Sequence, residues 1–117
     1  MSLRFTKMHG IGNDFVVLDR RAATAPMSAE LARRLADRHV GVGCDQVMTI
    51  ERSDDAAAAF RYGIYNADGS VAGQCGNGLR CVVRWLAERG LVRGQGIRLI
   101  GPSGPVMADL LEDGRIR

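Results

Sequence analysis

The sequence predicts an α+β domain on three observations: short stretches of strand-like alternation recur along the chain, two amphipathic helical patterns lie among them, and glycine-rich turns mark most junctions. A chain of 117 residues makes one domain with a core of modest size. With 46% hydrophobic and 25% charged residues, composition is that of a globular protein and excludes disordered and fibrous classes. No run approaches the roughly 18 apolar residues of a membrane span, and the first residues lack the apolar core of a signal peptide. The expected location is therefore the cytoplasm, where cysteines stay reduced.

Residues 3 to 8 alternate Leu3 and Phe5 against Arg4 and Thr6, a half-buried strand. His9 to Asp14 reads as a turn with two glycines, leading into Phe15-Val16-Val17-Leu18, whose continuous apolar run predicts a deeply buried strand. Asn13 and Asp14 stand at that loop-to-strand junction, where the residues by themselves fit ordinary turn chemistry. Ser28 is a good N-cap for a helix that carries Glu30 in its first turn and Leu31, Ala32, Leu35 and Ala36 on one face. That helix should stop before Gly41-Val42-Gly43-Cys44-Asp45-Gln46, after which Val47 to Ile50 reads as strand. Cys44 fits a small packed hydrophobe, and Gln46 either a satisfied turn residue or a ligand contact. Residues 51 to 59 read as a surface loop. Phe60, Tyr62 and Ile64 then alternate along a strand that ends at Asn66.

Beyond Cys75, Leu79, Val82, Val83 and Leu86 mark the buried face of a second helix, Arg80, Arg84 and Glu88 its exposed face, and Gly90 its C-terminal stop. Cys81 and Trp85, one turn apart, should pack together. Ile97 to Ile100 and Val106 to Leu111 are strands joined by a Gly/Pro turn, and Asp113-Gly114 is a hairpin signal. The arm that follows it has only three residues, too few to satisfy its partner edge, so the chain is expected to be cut from something longer.

The stretch richest in chemistry is Gln74-Cys75-Gly76-Asn77-Gly78, where a thiol stands at the entrance to a helix. First-turn backbone N–H groups have no intrahelical acceptors and carry the positive end of the helix dipole, so they attract anions and favour a thiolate. Glycines on both sides of Asn77 allow close approach to the backbone. A buried cysteine is ordinarily inert filler, but filler does not need such glycines. Three cysteines at these spacings fit neither a disulfide framework nor a zinc site, and with His9 and His39 as the other soft ligands no metal is expected. The net charge of +3 comes from fifteen scattered arginines and Lys7 against thirteen acidic residues. With aromatics at 5%, this fits a solvated surface and not a nucleic-acid face.

Three segments, Lys7 to Phe15, Gly41 to Gln46, and Asn66-Ala67-Asp68-Gly69 through Cys75-Gly76-Asn77-Gly78, together resemble the amino-terminal half of the diaminopimelate epimerase family. The thiol segment alone is also similar to related racemases such as the proline racemase family. The resemblance implies a curled, mostly antiparallel sheet wrapped around a central helix, one of two similar halves with substrate between them. It implies inversion at an amino-acid α-carbon, interconverting LL- and meso-diaminopimelate without pyridoxal phosphate or another cofactor. Two cysteines work from opposite faces, Cys75 being one. It further implies that Asn13, Gln46 and Asn66 contact substrate, and that the Gly76 and Asn77 amides help hold its α-carboxylate. Residues 1–117 would be the amino-terminal domain, inactive alone because the second thiol lies in the other half. Two other readings stay open: a related two-thiol racemase or isomerase, and a non-catalytic half-domain that pairs with a partner chain or with itself as a homodimer.

Overall fold

A computed structural model describes residues 5–10, 13–23, 27–39, 41–54, 58, 60–73 and 76–116. They form β1 (Phe5–Gly10), β2 (Asn13–Asp19), α1 (Ala29–Ala36), β3 (Gln46–Arg52), β4 (Phe60–Asn66), α2 (Gly76–Glu88), β5 (Ile97–Gly101) and β6 (Gly104–Ala108). The six strands make one open sheet in sequence order. Three pairings are antiparallel, β1 with β2, β3 with β4 and β5 with β6. The other two, β2 with β3 and β4 with β5, are parallel.

Both parallel pairings follow from a helical crossover, since parallel neighbours cannot be joined by a tight turn. The two crossovers step in the same direction across the sheet, but β2 and β3 run opposite to β4 and β5. Right-handed crossover connections then require the two helices to lie on opposite faces. The core divides accordingly. On one face Val82, Val83, Trp85 and Leu86 of α2 pack with Phe15, Val17, Met48, Ile50, Tyr62 and Ile64. On the other, Ala32, Leu35 and Ala36 of α1 pack with Val16, Leu18 and Val47. The continuous apolar run of β2 thus feeds both layers, and Phe15, Val16 and Val17 are completely buried.

The helix termini form as their residues predict. Ser28 Oγ accepts the Leu31 N–H at 3.0 Å, a side-chain cap for one of the first-turn donors. Gly90, at φ +70°, ends α2 by donating its N–H to the Ala87 carbonyl, while the Leu91 N–H reaches the Leu86 carbonyl. This is the paired closure that a left-handed glycine permits. Cys81 and Trp85 are both buried in the α2 layer. The indole Nε1–H donates to Thr6 Oγ1 at 3.3 Å, and the Arg89 guanidinium lies 3.7 Å from the ring centroid.

Three boundaries differ from expectation. β1 continues to Gly10, which pairs with Asn13, so Asn13 and Asp14 belong to a strand and not to a turn. β3 continues to Arg52 in ladder pairing with Phe60, which shortens the loop expected from residue 51. β6 ends at Ala108; beyond it Asp109 accepts the Gly96 N–H, and Leu110 pairs instead with Ile116 across the Asp113-Gly114 turn.

Candidate active site

The sheet order gathers one end of three strands. β2 and β3 are parallel, so Asn13 and Gln46 both lie at their starting end. β4 runs the other way and finishes there with Asn66, the ladder partner of Gln46. After Asn66 the chain folds back: Val71 bridges to Tyr65 and the Ala72 N–H donates to the Ile64 carbonyl at 2.8 Å. Because α2 must return the chain so that β5 can run parallel to β4, it begins at this same end with Gly76 and Asn77. Cys75, the residue before it in sequence, lies outside the described residues.

Side-chain contact joins two of the expected site residues. Gln46 Nε2 donates to Asn66 Oδ1 at 3.1 Å, and Asn66 Nδ2 donates to Ser70 Oγ at 3.1 Å. Gln46 Oε1 is buried and meets no hydrogen-bond donor among the described residues. Asn13 is placed as the first residue of β2, and Gly76 and Asn77 as the first of α2.

The residues that hold this end together were not singled out as site residues by the sequence reading. Asp14 and Asp45 exchange hydrogen bonds, each carboxylate accepting the other's backbone N–H, at 2.8 and 3.0 Å. The Arg38 guanidinium donates to both carboxylates, and Lys7 stands 3.4 Å from Asp14. This clasp fixes the start of β2 to the residue before β3, at the end of the sheet where Phe15 is the ladder partner of Gln46 and Asn13 lies two residues earlier on β2. The available signal was that each aspartate adjoins an expected ligand residue, in Asn13-Asp14 and in Asp45-Gln46.

The Arg38 hydrogen bonds, with the Asp45 N–H and Lys7 adding to them, hold the Asp14 carboxyl well below the usual carboxylate range against the opposing effect of burial. A depressed folded-state pKa contributes stability that is present above the unfolded value of 3.8 and is lost as pH falls below it. Thermal unfolding should therefore show a fall in midpoint that begins near about pH 5 and steepens below it. Asp14→Asn should lower the midpoint at neutral pH and flatten this acid limb; Asp19, lowered by Arg21, and Asp68 leave part of it in place.

Gly69 positions the loop after β4. It is buried at φ +90°, and a Cβ there would stand 2.5 Å from the Ala29 carbonyl oxygen and 2.9 Å from Arg33 Cγ. The loop is thus pressed against α1 by a contact that only glycine allows. Gly69→Ala should destabilise the chain by at least about 1–2 kcal/mol from the left-handed backbone alone, with further loss from the clash. Chemical denaturation checks this, and an unchanged midpoint would contradict it.

The two cysteines among the described residues are both buried. Cys44 is 2% exposed in the α1 layer, and burial pushes its thiol up. Cys81 is 3% exposed in the α2 layer. Among the described residues no group of three or more His, Cys, Asp or Glu is arranged to hold a metal ion, and no helix is long and apolar enough to cross a membrane.

Residues 5–117 match the family model described as diaminopimelate epimerase. The chain belongs to the diaminopimelate epimerase family. It is 56% identical over 113 residues to the diaminopimelate epimerase of Xanthomonas axonopodis pv. citri, covering 97% of this chain and 40% of the relative. It is also 53% identical over 111 residues to the O-ureido-serine racemase of Streptomyces lavendulae, covering 95% of this chain and 38% of that protein. The chain thus spans about 40% of the length of these curated relatives. Among solved structures, a methylitaconate-delta-isomerase superposes with a TM-score of 0.71 at 17% identity, over the whole of this chain and 63% of the other. That likeness establishes the shared α+β fold.

Proposed function

We propose that this chain is the amino-terminal half of a diaminopimelate epimerase of lysine biosynthesis in the cytoplasm, carrying Cys75 as one of two acid/base thiols. Membership of the family supports this reading. The single observation that carries the site is the convergence of the Gln46–Asn66 hydrogen-bonded pair, the start of β2 and the start of α2 on one end of the sheet.

The chemistry follows from the acidity problem. An α-proton beside a carboxylate is barely acidic, and its removal pushes charge onto the carboxylate oxygens. Backbone N–H donors at the start of α2, from Gly76 and Asn77, stabilise that charge, at roughly 2.7–4 kcal/mol per well-placed donor. The same positive helix end lowers the pKa of a Cys75 thiol from about 8.5 and supplies a thiolate near neutral pH. Cys75 as thiolate takes the α-proton and becomes a thiol. A second thiol, from the complementary half, delivers its proton to the opposite face and is left as thiolate. The stereocentre is inverted and the two cysteines have exchanged states, without pyridoxal phosphate. Asn13, Gln46 and Asn66 orient the substrate so that its Cα–H bond faces sulfur.

The test is α-proton exchange with LL-diaminopimelate in deuterated water. The chain alone should give no exchange. Adding a complementary half that brings the second thiol should give deuterium incorporation together with inversion. Full exchange by the chain alone would overturn the two-thiol reading. The near-equal identity to an O-ureido-serine racemase favours a second reading, a racemase with another amino-acid substrate, because this half is then shared between substrates. Exchange on another amino acid, with none on diaminopimelate in the completed assembly, would select it.

A further inference from the structure

We propose that Asp68 and Ser70 are positioning residues that set the hydrogen-bond polarity of the Gln46–Asn66 pair, and so present Gln46 Oε1 as an acceptor for an N–H donor of the ligand. This rests on the proposed reading for the ligand alone; the relay itself stands on the geometry.

The direction of every bond in the relay follows from its last member. Asp68 Oδ1 is 2.6 Å from Ser70 Oγ and 2.9 Å from the Ser70 N–H. An ionised carboxylate has no proton to donate, and these two bonds, with Arg33 on α1 adding an attractive field, hold Asp68 below its ordinary pKa. The Ser70 hydroxyl must then donate its one proton to Asp68. Its oxygen is left as an acceptor toward Asn66, so Asn66 turns its Nδ2 to Ser70 and its Oδ1 to Gln46. Facing an acceptor, Gln46 must present Nε2. Its Oε1 is left over, and that atom is buried with no donor among the described residues.

An amide can ordinarily flip end for end, because its two ends differ little in shape. Here a flip of Asn66 would set its Nδ2 against the Gln46 Nε2 and its Oδ1 against a hydroxyl whose proton is already committed. Two residues with no hydrogen bond to Gln46 thereby decide which of its atoms is left over. A buried acceptor with no partner is unfavourable, and a ligand N–H, such as the ammonium group of an amino acid, supplies the missing bond. A carboxylate oxygen at that point would be repelled. Asn66 is fixed in turn by the backbone of the same turn, its N–H donating to the Ser70 carbonyl and its carbonyl accepting from Gly69.

The test is side-chain amide NMR of the 15N-labelled chain. In the native chain, the Gln46 Nε2 protons should show contacts to Asn66, and the Asn66 Nδ2 protons should show contacts to the Ser70 Hβ protons. Ser70→Ala should shift the Gln46 side-chain resonances and speed exchange of the bonded Nε2 proton by roughly tenfold, the size of one net hydrogen bond, while backbone amides of β3 and β4 keep their positions. Ser70→Thr, which retains a hydroxyl, should restore the native Gln46 signals. Unchanged Gln46 side-chain signals in a folded Ser70→Ala chain would overturn the proposal. Should that variant fail to fold, contacts in the native chain between Ser70 and Gln46 in place of Asn66, or between the Asn66 Nδ2 protons and Gln46 in place of Ser70, would overturn it equally. Failure of diaminopimelate exchange with this relay intact would count against the substrate reading and leave the relay standing.

Discussion

Cys75→Ala, tested in an assembly that turns over diaminopimelate, is expected to lower kcat by about 10²–10⁴-fold, the usual contribution of a positioned acid or base. In the proposed mechanism the substitution removes the group that takes the proton and leaves the backbone of Gly76 and Asn77, proposed to hold the carboxylate, in place, so KM should change far less than kcat. Cys75→Ser should be nearly as damaging, since a hydroxyl at neutral pH offers almost no conjugate base. Cys44→Ala and Cys81→Ala supply the contrast. Both thiols are buried in apolar layers, so their loss should alter stability and not proton transfer. Stopped-time assays of α-proton exchange on the three variants separate these outcomes, and a Cys75→Ala enzyme within a few-fold of the native rate would contradict the assignment.

The largest loss of stability is expected at Leu86. Its side chain is fully buried among residues of α2 and the sheet, where truncation removes apolar contact and leaves a cavity. Leu86→Ala should cost about 2–5 kcal/mol, a large part of the roughly 5–15 kcal/mol that holds a domain of this kind together. Arg84, two residues earlier on the exposed side of α2, should tolerate alanine within about 0.5 kcal/mol. Urea titrations of the pair measure the difference directly. The consequence for the proposed site follows from the fold: this layer holds α2 on the sheet, and α2 begins at the end where Gln46 and Asn66 meet.

Local patterns carried much of the fold. Ser28 announced the start of α1, Gly90 the end of α2, and the alternation of Phe60, Tyr62 and Ile64 the inward face of β4, because caps, left-handed glycines and strand period act over a few residues. The uninterrupted run in β2 foretold deep burial, and the structure divides it between both faces of the sheet. The pairing of β2 with β3 and of β4 with β5 could not be read that way, since it depends on where each crossover helix docks. The boundaries failed for a related reason: β1 and β3 run on past their apolar patterns wherever a ladder partner exists, as Gly10 has in Asn13 and Arg52 has in Phe60.

The site was legible as motifs and much less as geometry. Gln46 and Asn66 lie twenty residues apart in sequence and meet only because the β3–β4 register places them opposite each other. The Asp14–Asp45 clasp spans 31 residues, so Asp14 looked like an ordinary turn residue and Asp45 carried no signal of its own. Asp68 and Ser70 make a short-range turn of the usual kind, and their influence on Gln46 emerges only through Asn66. In each case the residue type was visible and its partner was not.

Differential alkylation tests the central claim, an activated thiol at the entrance to α2, most directly. The folded chain is treated with a limiting amount of iodoacetamide at neutral pH, and modification at each cysteine is followed by peptide mass spectrometry. Cys75 should react well ahead of Cys44 and Cys81, and unfolding in urea should bring the three rates together. Equal rates at the three cysteines in the folded chain, or a Cys75 slower than the two buried thiols, would contradict it.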